Sequence, residues 1–134
     1  MKVILIDDEP AMHLVLTRML SKLGGFEVAG AFSDTASAHA YLQTQDADLI
    51  LLDISMPRES GLEFAARLRA EGRQIRLVFL TSHKEYALDA FDVYAFDYLI
   101  KPVVREKLHR TLLRAASERT FAEPPSPRRR LRPA

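Results

Sequence analysis

The sequence predicts an α/β fold, a doubly wound five-stranded parallel sheet. Three observations carry this prediction. Short apolar runs, among them "VILI" at residues 3–6, "LILL" at 49–52 and "LVFL" at 77–80, have the composition of strands buried on both faces. Segments with apolar residues at helical spacing separate these runs, so that strand and helix alternate five times. The competing eight-stranded β/α barrel needs roughly 250 residues, and this chain has 134.

The elements follow in order. Residues 3–6 make the first strand, and a helix is expected over about residues 11–23, where Met12, Val15, Leu16, Met19, Leu20 and Leu23 form one stripe. Gly24-Gly25 stops that helix. The alternating "FEVAGAF" at 26–32 reads as a half-exposed strand near a sheet edge. Ser33 or Asp34 caps a helix reaching about residue 45, with Ala36, Ala40 and Tyr41 turned inward. After the buried run at 49–52, Ser60 with Glu63 three residues on reads as a capping box for a helix to about residue 70. Residues 77–80 form the next strand, about 84–93 a short helix, and 98–100 the last strand. Pro102 starts the final helix, with Val104, Leu108, Leu112 and Ala115 spaced to face inward.

Composition bounds the class. With 48% hydrophobic and 28% charged residues, the chain is expected to be one globular domain with a real core. No run of about 18 apolar residues exists and no secretory signal is visible, so no membrane association and a cytoplasmic location are expected. The absence of cysteine excludes disulfides and thiolate metal sites. The net charge of +1 hides an asymmetry: residues 120–134 carry Arg128, Arg129, Arg130 and Arg132 against one acid, Glu123. The remainder is mildly acidic and gives no reason to expect nucleic-acid binding by itself. Pro124, Pro125 and Pro127 in that last segment oppose helix, so residues 120–134 read as a Pro/Arg-rich flexible linker or tail after a domain at 1–119.

The apolar runs end on reactive side chains. In an open parallel α/β sheet the carboxyl ends of all strands lie along one edge, where ligands bind. Asp7, Asp8, Asp53, Thr81 and Lys101 each end a strand, so all are expected on one rim. Crowded carboxylates repel one another, and a divalent cation makes the cluster favourable. Carboxylates with few other ligands suit Mg²⁺, which keeps waters and shares phosphate oxygens. Lys101 adds a fixed cation, and Thr81 and Ser82 add donors, so the rim could accept a phosphoryl group on a carboxylate.

The pattern formed by these residues resembles the receiver domain of two-component response regulators. It comprises Asp7-Asp8 after the first strand, Asp53 after the third, Met56-Pro57 just beyond it, Gly61, Thr81-Ser82 after the fourth strand and Lys101-Pro102 after the fifth. The resemblance implies a flavodoxin-like (βα)5 fold with strand order 2-1-3-4-5. It implies that Asp53 is the phosphoacceptor, taking a phosphoryl group from a sensor histidine kinase. Asp8, Asp53 and the backbone carbonyl of Ser55 would hold Mg²⁺ (or Mn²⁺), with Asp7 acting through a coordinated water. Lys101 would pair with phosphoryl oxygens across a cis bond to Pro102, and Thr81 would bond the phosphoryl group. Tyr98, three residues before the lysine, would follow Thr81 inward and change the face formed by the fourth helix, fifth strand and fifth helix.

The stretch "EYALDAFDVYAFDYLIKP" at 85–102 is similar to receivers that precede LytTR-type DNA-binding domains, the LytR/AlgR-like group. That implies control of transcription, with DNA reached only through a C-terminal domain not present in this chain, and a phosphorylation-dependent homodimer. Tyr86, Val93 and Tyr94 are the expected exposed apolar residues of the dimer face, among Lys84, Asp92, Asp97, Arg105, Lys107 and Arg110. The chain is then a regulator that catalyses only its own phosphorylation and dephosphorylation, not a turnover enzyme.

Other readings differ in specific residues. A stand-alone receiver would act by protein–protein contact alone. A haloacid-dehalogenase-like phosphatase would have its two acids separated by one residue, whereas Asp7 and Asp8 are adjacent. His13, His39, His83 and His109 have no metal-ligand spacing and read as surface residues, although His83, two beyond Thr81, should overhang the pocket.

Overall fold

The computed structural model describes residues 1–118. It contains β1 (Lys2–Ile6), α1 (Pro10–Leu23), β2 (Glu27–Phe32), α2 (Thr35–Leu42), β3 (Leu49–Leu52), α3 (Gly61–Ala70), β4 (Arg76–Thr81), α4 (Ala87–Asp92), β5 (Asp97–Ile100) and α5 (Arg105–Ser117). The five strands form one parallel sheet in the order β2-β1-β3-β4-β5, as the sequence implied. The Pro/Arg-rich segment expected at 120–134 lies outside the described residues.

The sheet is buried on both sides. Val3, Leu5, Leu49, Leu51, Val78 and Leu80 point to one face and pack against Leu16 and Leu20 of α1 and Leu108, Leu112 and Ala115 of α5. Ile4, Ile6, Ile50, Leu52, Leu77 and Phe79 point to the other, against α2, α3 and α4. Alternation along each strand therefore feeds two separate cores, which is why these strands read as unbroken apolar runs. β2, half-exposed at the edge, carries a register shift opposite Val3 and Ile4.

Local chemistry sets the helix ends. Asp34 caps α2 by accepting from the Ser37 N–H at 2.7 Å. Ser60 and Glu63 form the expected reciprocal capping box of α3. Helix faces and ends differ from expectation in places. On α1, Val15 of the expected stripe is 37% exposed, while Leu16 and Leu20 are buried. α2 buries Thr35, Ala38 and Leu42, while Ala36 and Ala40 are exposed and Tyr41 is half-buried against Phe32. The Asp34 cap fixes where the helix starts and thereby which face turns inward, and a run of small residues carries no stripe strong enough to reveal it. α5 starts at Arg105, and Pro102, after a cis Lys101–Pro102 bond, belongs to the preceding turn. Val104 is its N-cap residue and is 43% exposed.

Strand register places the rim. Ile6 pairs with Leu52, Leu52 with Phe79, and Thr81 with Ile100, so Asp7, Asp53 and Lys101 leave the sheet side by side. The chain after Asp53 makes a tight excursion and returns where it left: the Gly61 N–H donates to the Ile54 carbonyl at 2.8 Å. A Cβ on Gly61 would lie 2.0 Å from the Asp53 carbonyl oxygen, a backbone atom that cannot swing aside. Gly61→Ala should therefore lower stability by about 2 kcal/mol, read as a lower urea midpoint. An unchanged midpoint would show that the two backbones separate freely.

Candidate functional site

The rim brings together what the sequence placed on it. Asp7 and Asp53 are 3% and 6% exposed, and Thr81 is fully buried. Carboxylate oxygens of Asp7, Asp8 and Asp53 all lie within 4.8 Å of one another. Asp8, Glu9, Asp53, Ser55, Ser82 and His83 line an open cleft of about 310 Å³. The Lys101 ammonium reaches Asp7 Oδ2 at 2.9 Å, Glu9 Oε1 at 2.8 Å and Asp53 Oδ2 at 3.1 Å.

Backbone donors complete the carboxylate shells. Asp53 Oδ1 accepts from the Ile54 N–H at 2.7 Å, and Asp7 Oδ1 from the Glu9 N–H at 2.9 Å. Asp8 is exposed and makes no hydrogen bond or ion pair among the described residues, so its carboxylate is open to a ligand. Oxygens on opposite sides of an octahedral Mg²⁺ stand about 4.2 Å apart, close to the spread of the three carboxylates. The residues fit a hard divalent cation held by oxygen ligands with part of its shell left to water.

The electrostatics are unbalanced. Burial pushes the Asp7 carboxyl above its ordinary value, and the Glu9 N–H and Lys101 only partly oppose it. Burial works against the Lys101 charge, but hydrogen bonds to Glu9, Asp7 and Asp53 outweigh it and raise the ammonium well above its ordinary value. Lys101 also holds fully exposed Glu9 below the usual carboxylate range.

Around this core, the Thr81 hydroxyl accepts from the His83 N–H at 3.3 Å. Tyr98 is half-buried; its hydroxyl donates to the His83 carbonyl, and its ring lies 6.0 Å from that of Phe79. His83 lines the cleft as expected, with Nδ1 2.9 Å from Glu85. Pro102 follows the lysine in the cis turn.

Several features were not foreseen. Glu9 contacts Lys101 and lines the cleft, although only its place in the run Asp7-Asp8-Glu9 signalled it. His13, His39 and His109 are half-buried rather than on the surface: His13 Nε2 lies 2.7 Å from the Asp7 carbonyl oxygen, His39 meets Glu71, and His109 Nε2 is buried without a hydrogen-bond partner among the described residues. Around α4, Tyr86 is exposed as expected, at 37%, but Val93 is buried and Tyr94 half-buried; Leu88 and Phe91 of the helix itself are exposed instead, at 84% and 41%.

Residues 3–113 match the family described as the response regulator receiver domain. The Escherichia coli transcriptional regulatory protein BtsR is 40% identical over 89% of this chain and 49% of its own length. The Pseudomonas aeruginosa positive alginate biosynthesis regulatory protein, of the LytTR group, is 38% identical over 87% of this chain and 47% of its own length. The chain thus spans about half the length of these relatives. Among solved structures, the response regulatory domain of mrkE from Klebsiella pneumoniae superposes with a TM-score of 0.82 at 31% identity, covering 87% of this chain and 96% of that one. The response regulator TrrA from Thermotoga maritima, in complex with Mg(2+)-BeF, gives 0.75 at 27% identity over 85% and 97%.

The raised Asp7 carboxyl has a consequence for stability. An acid whose folded pKa exceeds its unfolded value makes the native state bind the proton more tightly, so stability falls as pH rises from 3.8 through the folded value. The cost grows as the pH rises through that value. Asp7→Asn removes it and should raise the metal-free Tm at pH 7 by a few degrees, with the gain shrinking as the pH drops toward 4. Thermal unfolding over pH checks this, and a lower Tm at pH 7 would show that the charge on Asp7 is net stabilising.

Proposed function

The chain belongs to the response regulator receiver domain family, and on that premise we propose that it is a phosphorylation-controlled switch with Asp53 as the phosphoacceptor. The observation that carries the proposal is the placing of Asp53: buried, 3.1 Å from the Lys101 ammonium, beside Asp7 and Asp8, and open to the cleft. Asp8, Asp53 and the Ser55 carbonyl would hold Mg²⁺ or Mn²⁺, with Asp7 acting through a coordinated water. Bound there, the cation would neutralise phosphoryl charge.

The chain's own residues supply the rest. One Asp53 carboxylate oxygen attacks the phosphorus of a phosphohistidine on a sensor kinase. The O–P bond forms as the P–N bond breaks, and the leaving imidazole nitrogen takes a proton from solvent. Lys101 exchanges carboxylate contacts for phosphoryl oxygens, and the Thr81 hydroxyl donates to one of them. Hydrolysis of the acyl phosphate returns Asp53, so the only catalysis is on the domain itself.

Output would run through Thr81 and Tyr98. Both meet His83, and Asp97, next to Tyr98 in β5, accepts from Thr111 and lies 3.3 Å from Arg114 of α5. A change at Thr81 therefore has a short bonded route to α5. The exposed Leu88, Phe91 and Tyr86, with basic Arg105, Lys107 and Arg110 on α5, suit a reversible homodimer formed on phosphorylation. We assign residues 1–119 to the receiver and 120–134 to a linker or tail. In the full protein the dimer would act through a C-terminal LytTR-type DNA-binding domain in the cytoplasm, controlling transcription.

Acetyl phosphate with Mg²⁺ should add one phosphoryl group to the chain by intact mass, removable by hydroxylamine. Asp53→Asn should abolish the adduct, and equal labelling of the variant would remove Asp53 from its role. Beryllofluoride with Mg²⁺ should produce a dimer in sedimentation that Leu88→Asp lacks while still taking up phosphate. A dimer that survives Leu88→Asp would move the interface elsewhere.

A further inference from the structure

The loop between β3 and α3 is held from outside the site by a polar cluster. Glu59 Oε1 accepts from the Thr35 hydroxyl at 2.6 Å and from Arg67 Nη2 at 2.8 Å, and Oε2 accepts from Arg67 Nε at 3.0 Å. Burial opposes the Glu59 charge, but these bonds hold its carboxyl below the usual range. Next to it, Arg58 adopts a left-handed backbone conformation (φ 69°) and lies 3.5 Å from Asp34, the residue that caps α2. The start of α2 thus grips the tip of the loop twice.

The base of the loop is also closed, by Gly61 against Ile54 and Asp53. Ser55 stands between the closed base and the gripped tip, on the side that lines the cleft. With the base closed, the setting of the Ser55 carbonyl depends on the contact of its N–H with Asp53 Oδ1 at 3.4 Å and on where the tip is held. Losing an outer group that orients a metal ligand typically costs roughly 10- to 100-fold in metal affinity.

We propose that Glu59, bridging Thr35 and Arg67, is a positioning residue that sets the Ser55 carbonyl for cation binding and so couples α2 to the site. The proposal rests on the reading of Asp8, Asp53 and Ser55 as cation ligands. Neither Glu59 nor Thr35 is among the residues that line the cleft.

The test is titration of the chain with Mg²⁺ alone, followed by amide shifts and by calorimetry, together with thermal unfolding. Glu59→Ala should weaken Mg²⁺ binding by about 10-fold. Thr35→Val should weaken it in the same direction, and Thr35→Ser, which keeps the hydroxyl, should bind as the wild type does. Where Glu59→Ala fails to fold, the two Thr35 variants decide. A lower Tm with unchanged Mg²⁺ affinity in Glu59→Ala and Thr35→Val would overturn the role of Glu59, since the cluster would then be structural only. A wild-type chain that binds no Mg²⁺ would overturn the ligand set itself, and the proposal with it.

Discussion

The site depends on one buried ammonium. Lys101 stands within 3.1 Å of three carboxylates, and its side chain is 10% exposed. Asp7 and Asp53 are both buried, and two buried like charges without a countercharge would cost several kcal/mol by desolvation and repulsion. The position of Lys101 is set by the sheet, through the bond from its N–H to the Thr81 carbonyl at 2.8 Å, and by the cis turn that follows. The whole rim therefore relies on β5 pairing with β4 in the right register.

One ammonium does not balance the rim. Among the described residues, Lys101 is the one ammonium that Asp7, Glu9 and Asp53 meet, and Asp8 meets none, so the four acids outnumber it at the cleft. That excess suits a divalent cation. Under the proposed function it would also make phosphoryl uptake depend on such a cation, because more negative charge would otherwise enter an acidic cleft. The raised Asp7 carboxyl has a different main cause, its burial, with the neighbouring Asp53 charge adding least: stability is given up to hold a carboxylate inside the rim.

Two mechanical links leave the site in opposite directions. On one side His83 meets both Thr81 and Tyr98, and Asp97 carries the connection from β5 to α5. On the other, Glu59 and Arg58 tie the loop after Asp53 to the start of α2. Both are chains of polar contacts, so under the proposed function a small displacement at the rim would be passed along them.

What the sequence determined by itself is the sheet and the identity of its rim. Strands buried on both faces must be apolar at every position, so "VILI", "LILL" and "LVFL" mark them without ambiguity, and the parallel topology then sends Asp7, Asp8, Asp53, Thr81 and Lys101 to one edge. The capping box of α3 was legible for a similar reason, since its partners are three residues apart. What only the tertiary structure decided involves partners distant along the chain. Thr35 and Glu59 are 24 positions apart and Glu9 and Lys101 are 92 apart, and no local pattern announces either pair. The inward face of α2 and the outward turn of Leu88 followed from packing and from where each helix starts, because short helices with weak stripes leave their rotation to the neighbours they meet.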